Sequence, residues 1–412
     1  MEHLQGALRT YTWGSRTLLA DLRGTESPAP SPEAELWFGA HPAAPSTIDG
    51  RGLDEIIAED PSAALGERVV EQFGEQLPFL LKLLAAGAPL SLQAHPSKEQ
   101  ALAGFQQEED NGLELHDPRR NYKDPNHKPE LIVALTPFQA LAGFRPFART
   151  SELFEVLDTP GLARYTSMVD PADEEASLRA LFTTLISLPR KAAVALLEEV
   201  EQAARALVNT TPAPGNVKPW MRDVLTMYLE LAEAYPGDIG ALAALLLNYF
   251  NLEPGEALYL DAGQLHAYQR GLGVEIMANS DNVLRGGLTS KHVDVPELVR
   301  VLKFTALESP RATAQPSETG EEFVLPIDDF RLGHHRLCDD AQLRVGTDGP
   351  AIVLCVSGEA VGTTDNGADG GAEPAQECVL RPGEAVWIPA NDPRPTFSAR
   401  GGEPTELFYA SV

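Results

Sequence analysis

Apolar residues that alternate with polar ones, or run together in short blocks, dominate the first 149 positions and return after position 253. Pro78 opens an apolar block broken only by Lys82, Leu90 to Pro96 alternates strictly, and Leu131 to Leu135 is apolar throughout. Such patterns predict strands, half-buried where they alternate and buried on both faces where they do not. From Thr150 to Leu252 the spacing changes to three and four, as in Leu225, Tyr228, Leu229 and Ala232. That period predicts amphipathic helices over 151–157, 177–188, 191–208, 218–235 and 239–250. The chain is therefore expected to be mainly β with an α-helical insertion of about a hundred residues.

The resumed strands contain an internal repeat. Pro254-Gly255-Glu256-Ala257-Leu258-Tyr259-Leu260-Asp261-Ala262 is echoed by Pro382-Gly383-Glu384-Ala385-Val386-Trp387-Ile388-Pro389-Ala390, identical at five of nine positions. A Pro-Gly turn leading into a strand that ends in small residues resembles the cupin motif, a double-sheet jelly roll. Two cupin-type barrels are expected, the first from 1–149 with 253–308 and the second from 309–412, with the helical domain at 150–252. Four residues beyond Ala262 stands His266, whereas four beyond Ala390 stands Arg394. The second barrel is thus expected to lack a metal and to be structural. Positions 309–322, rich in Pro, Ser, Thr and Glu, predict an exposed connector, and 363–375 a second mobile patch.

Composition narrows the partners. The formal net charge is −28, which argues against nucleic acid and anionic membranes. No run reaches the roughly 18 apolar residues of a membrane span and the start lacks a signal pattern, so a cytoplasmic protein is expected, as a monomer. Cys338, Cys355 and Cys378 have no metal-ligand spacing and read as reduced thiols, or as one disulfide and one thiol.

Candidate chemistry lies in the parity of four segments. In Asn126-His127-Lys128-Pro129-Glu130, the prolines at 125 and 129 forbid a helix interior and press Lys128 into extended geometry. Lys128 and Glu130 then share a face with His127 on the other, as a site or as a solvated edge pair. Ser91, Gln93 and His95 share one face of their strand, Gln264, His266 and Tyr268 another, and Asp281 and Arg285 a third. Lys82 either snorkels to solvent or faces a polar cavity. His41, His116, His334 and His335 read as structural. If the faces converge, His95, His266 and Glu130 with the neutral oxygen of Gln93 make a four-ligand set suited to zinc or another borderline divalent ion.

Together with Trp13-Gly14-Ser15, Ala34 to Pro42, and Ser280 to Thr289, these segments resemble the type I mannose-6-phosphate isomerase (phosphomannose isomerase) family, in family order across about the first 300 residues. The chain departs at Leu265, where many relatives have histidine, and at Gly286-Gly287, where Ala-Gly is usual. The resemblance implies one zinc per chain on Gln93, His95, Glu130 and His266, a catalytic arginine at Arg285, and a substrate pocket containing Ser91, Lys82 and Lys128. It implies an aldose-ketose isomerase that moves a proton between C2 and C1 of a sugar phosphate through a cis-enediol. On that expectation Lys82 and Ser91 grip the phosphate, Tyr268 lines the pocket and Arg285 meets the developing oxyanion. The base is left open among water on the metal, His127 and Lys128, and Asp281 assists ring opening. A metal-dependent cupin oxygenase on the same two histidines and carboxylate, or a non-catalytic sugar-binding bicupin, are the alternatives.

Overall fold

The computed structural model describes residues 1–412 apart from 168–169, 171, 212–213, 339, 347 and 365–375. Its hub is the 13-residue strand His266–Ala278. This strand pairs antiparallel with Phe79–Ala86, Gln93–Ala94, Glu130–Ala134 and Phe138–Phe144 in a 10-stranded sheet. All eight positions of Phe79–Ala86 are buried, which explains why its sequence is a continuous apolar block rather than an alternation. Leu81, Leu83, Val274 and Ile276 face one apolar layer. Lys82 and Glu275, paired across the two strands, occupy the positions between them, whose side chains go to the opposite face.

That apolar layer is shared with the carboxy-terminal strands. Ile352, Leu354, Trp387, Phe408 and Ala410 of a seven-stranded sheet enter the same core. The other face of that sheet, with Val353 and Leu407, packs on Leu343 and Phe397 of a four-stranded sheet. The first strand of the chain, Glu2–Leu4, is stitched into the seven-stranded sheet beside Ala385–Ile388. Alternation alone cannot reveal a pairing whose partner lies at the far end of the sequence. The mainly β character with added helices is as expected, but the ladders form open sheets, with no closed barrel among the described residues.

The helices Phe147–Leu157, Pro160–Thr166, Glu174–Ile186, Arg190–Asn209 and Pro219–Ala234 bury their apolar stripes together. Leu153, Leu181, Val200, Leu225 and Tyr228 form this core, which joins the first sheet through Phe144 and Phe304. Pro160–Thr166 is an unpredicted helix, begun by a proline in its first turn where the missing N–H costs nothing.

Two expectations are corrected. Positions 239–250 are not one helix: Gly240–Ala244 is helical, and Leu247–Leu252 is a strand on Phe138–Phe144. The free edge of that strand supplies a ladder of backbone partners, and this tertiary pairing overrides a local period that suits a helix. Positions 309–322 are not simply a connector, since Thr313–Pro316 pairs with Gly320–Val324 as an edge hairpin. An edge strand tolerates proline because its outer N–H has no partner to lose. Most of 363–375 lies outside the described residues. Cys338, Cys355 and Cys378 are all free. No single helix among the described residues is long and apolar enough to cross a membrane.

Candidate active site

The open face of the 10-stranded sheet lines a cleft of about 680 Å³. Register brings the candidate ligands together there. His266 lies opposite Gln93, which in turn lies opposite Arg285, and Glu130 lies beside Met277 on the neighbouring ladder. His95, Glu130 and His266 offer one ligand atom each within 4.8 Å of one another, the one such cluster among the described residues. His95 Nε2 is 3.3 Å from Glu130 Oε1, and His266 Nε2 is 3.4 Å from Glu130 Oε2.

Both imidazoles are oriented from behind. His95 Nδ1 lies 2.7 Å from the Asn282 carbonyl and His266 Nδ1 lies 2.9 Å from the Gln264 carbonyl. A carbonyl only accepts, so each Nδ1 carries a hydrogen, and each Nε2 is the ring atom turned to the carboxylate. His95 Nε2 is buried with no hydrogen-bond partner. Burial pulls this imidazole down to about 4 against the opposing pull of Glu130. Burial works to raise Glu130, but Lys128 and His95 outweigh it and hold the carboxylate well below its usual range. A His95 imidazole held neutral, with its orphaned Nε2 beside an ionised carboxylate, and the Nε2 of His266 turned to the same carboxylate, make the donor arrangement that a divalent cation needs. The donor set therefore fits a zinc ion, and Gln93 lines the same cleft.

The expected parity of the Asn126 to Glu130 segment holds. Lys128 Nζ is 3.0 Å from Glu130 Oε1 on the cleft side. His127 points away, its Nε2 2.9 Å from Asp329 Oδ1, so the structure does not bring His127 to the other candidates. Ser91, Tyr268, Asp281 and Arg285 all line the cleft. The Tyr268 ring packs edge-on against Phe138, and burial raises its phenol well above the usual value. Burial lowers the Arg285 guanidinium, which has no ion pair among the described residues.

Lys82 faces the cavity rather than snorkelling, but its ammonium is taken. Nζ lies 3.1 Å from Glu275 Oε2 and 3.4 Å from Glu35 Oε1, with the Trp37 ring 5.4 Å away. Burial would depress this lysine, yet Glu35 and Glu275 outweigh it and raise the ammonium above its usual value. Glu275 and Glu35 are absent from the residues that parity had grouped. The available signal for Glu275 was the one that marked Lys82, a lone charge inside an apolar run. His41 is also in the cleft, with Nε2 3.5 Å from Asp281 Oδ1 and its ring edge-on to Trp37. Lys291 completes the rim. In the second copy of the Pro-Gly repeat, Arg394 donates from Nη2 to the Ala390 carbonyl at 2.9 Å.

Residues 1–147 match the family model of the phosphomannose isomerase type I catalytic domain. The chain is 39% identical to mannose-6-phosphate isomerase of Escherichia coli, over 97% of this chain and 98% of that protein. It is 35% identical to the Homo sapiens mannose-6-phosphate isomerase over 98% and 96%. A crystal structure of mannose 6-phosphate isomerase bound with zinc and yttrium superposes with a TM-score of 0.85, at 36% identity, covering 100% of this chain and 99% of that one. The apo mannose 6-phosphate isomerase from Salmonella typhimurium gives 0.86 at 36% identity, covering 100% and 98%.

Proposed function

Because the chain belongs to the type I phosphomannose isomerase family, we propose that it interconverts mannose 6-phosphate and fructose 6-phosphate by moving a proton between C2 and C1 of the open-chain sugar. The observation that carries this reading is the convergence of His95, His266 and Glu130 in a cleft that also holds Lys128 and Arg285. A zinc ion held by His95, Glu130 and His266, with Gln93 as fourth donor, supplies Lewis-acid polarisation of the sugar's carbonyl oxygen.

The remaining steps belong to side chains. Asp281, beside His41 at the cleft wall, assists ring opening by taking the anomeric hydroxyl proton. Lys128 is the group that takes the C2 proton and returns it to C1, while the hydroxyl proton of O2 passes to O1, with a cis-enediol between the two transfers. With His127 turned to Asp329, Lys128 is the member of that pair that reaches the cleft. Arg285, desolvated and with no ion pair among the described residues, donates to the oxygen on which negative charge grows. Tyr268 contacts a substrate hydroxyl, and Ser91 with Lys291 holds the phosphate. Lys291 is preferred to Lys82 for the phosphate because no carboxylate pairs with it among the described residues, whereas Lys82 already neutralises two. With a chain charge of −28, attraction of the sugar phosphate rests on these local cations and the metal.

We read the architecture as two cupin-type jelly rolls, 1–149 with 253–308 and 309–412, with a helical domain at 150–252 inserted in the first. Support comes from the repeat, both copies of which form strands, Ala257–Leu260 and Ala385–Ile388. The test of function is isomerase activity with metal content measured before and after chelation. Activity should fall with removal of about one zinc per chain and return when zinc is added, and His266→Ala should not retain the ion. Full activity in metal-free protein would overturn the reading.

A further inference from the structure

The segment that carries Lys128 is held from two sides, and one of them belongs to the carboxy-terminal part of the chain. On the first side, Asn282 Oδ1 accepts from the N–H of Lys123 at 2.6 Å and of Asp124 at 3.2 Å. Its Nδ2 donates to the carbonyls of Asp124 at 2.7 Å and Asn126 at 2.8 Å, and Asn126 Nδ2 donates to the Asn279 carbonyl at 2.9 Å. This grip ends at Asn126. Backbone pairing resumes at Pro129, whose carbonyl accepts from the N–H of Ala278 at 3.2 Å and which has no N–H of its own to offer. Among the described residues, neither His127 nor Lys128 forms a backbone hydrogen bond.

Beyond the extended geometry that Pro129 imposes on Lys128, the dipeptide between those anchors is fixed by its side chains. Lys128 reaches Glu130 on the cleft side. On the opposite side His127 Nε2 meets Asp329 Oδ1 at 2.9 Å. Asp329 is 8% exposed and sits in the turn between the strands Gly320–Val324 and Arg331–Leu337, so it is carried by the seven-stranded sheet. In extended backbone successive side chains leave on opposite sides, so holding the imidazole sets where the next side chain begins.

We infer that Asp329 is a positioning residue for the isomerase reaction: through His127 it fixes the direction in which Lys128 enters the cleft, so the carboxy-terminal sheet contributes to turnover. This inference rests on the role proposed above for Lys128. It differs from the expectation that the carboxy-terminal half is purely structural. Without the carboxylate, His127 loses its anchor and the His127–Lys128 backbone is held only through its neighbours. The Lys128 amine then samples positions around the reactive one, which lowers turnover while leaving the ligands and the phosphate contacts in place.

The experiment is steady-state kinetics on the zinc-loaded enzyme with Asp329→Ala, Asp329→Asn, Lys128→Ala and the Asp329→Ala/Lys128→Ala pair, each checked for metal content and urea midpoint. Asp329→Ala should lower kcat about 10-fold with KM changed less than about 2-fold, short of the roughly 100-fold that a 1 Å misplacement costs. Asp329→Asn, whose amide oxygen can still accept from the imidazole, should recover most of that loss. If Asp329 acts through Lys128, its removal should cost nothing further in the Lys128→Ala background. Wild-type kcat in Asp329→Ala beside an impaired Lys128→Ala overturns the positioning inference alone. An undiminished second loss in the paired variant, or Asn no better than Ala, overturns it as well. Wild-type turnover in Lys128→Ala instead overturns the assignment of Lys128. If Asp329→Ala does not fold, His127→Ala cuts the same strut from its other end and should show the same loss, also absent in the Lys128→Ala background.

Discussion

Replacing Lys82 with methionine keeps the volume and removes the charge, and the consequence should be structural before it is kinetic. The Lys82 side chain is 6% exposed, between Glu35 at 9% and Glu275 at 3%. At separations of 3.4 and 3.1 Å and an effective dielectric near 20, each attraction is about 5 kcal/mol before desolvation is subtracted. The net cost of breaking a buried pair from one side is about 3–5 kcal/mol, because the orphaned charge stays buried. Two orphaned carboxylates also repel, so one should hold its proton above the ordinary Glu range, as burial already does for Glu275. A carboxyl raised in the folded state adds stability below its unfolded pKa and loses it as pH rises through the folded value. The Lys82→Met deficit should therefore be largest at pH 8 and shrink towards pH 5. Urea unfolding at the two pH values measures this, and adding Glu275→Gln should recover part of the loss. A Lys82→Met protein within about 1 kcal/mol of wild type at pH 8, with only KM raised, would refute the argument and return Lys82 to the phosphate.

Arg285→Ala should lower kcat about 100-fold or more with zinc content unchanged, and Arg285→Lys should restore only part because the planar fork is lost. Lys291→Ala should instead raise KM by about 10-fold, the scale of one charge-assisted hydrogen bond, with kcat nearly constant; an unchanged KM would move the phosphate elsewhere. Trp387, fully buried in the layer between the sheets, should cost about 3–5 kcal/mol when truncated to alanine, without changing turnover of the folded molecules. Burial, and after it His334, lowers His335 to about 4. With the unfolded value near 6.5, the unfolded chain binds the extra proton first, so stability is full above about 6.5 and is lost as pH falls towards 4, by on the order of 3 kcal/mol. His335→Gln should flatten that acid limb relative to wild type.

Side-chain parity was enough to bring most of the cleft together on paper, because an extended chain assigns alternate residues to opposite faces whatever it packs against. Thus Lys128 with Glu130, and His127 away from them, were legible from two prolines and an alternation. The Pro-Gly repeat was legible for the same reason, since each copy is a local turn feeding a local strand. What locality cannot encode is partnership. Lys82 looked like a free cation until register set Glu275 across from it and Glu35 beside it. Positions 247–252 have helical spacing yet lie on an open sheet edge, which settles the backbone as a strand. The start of the chain pairs with Ala385–Ile388, and Asp329 reaches His127 from a turn in the carboxy-terminal sheet. Each of these contacts joins residues far apart in sequence, and the free energy that selects them comes from burying apolar faces together, a property of the assembled layers that no window of the sequence contains.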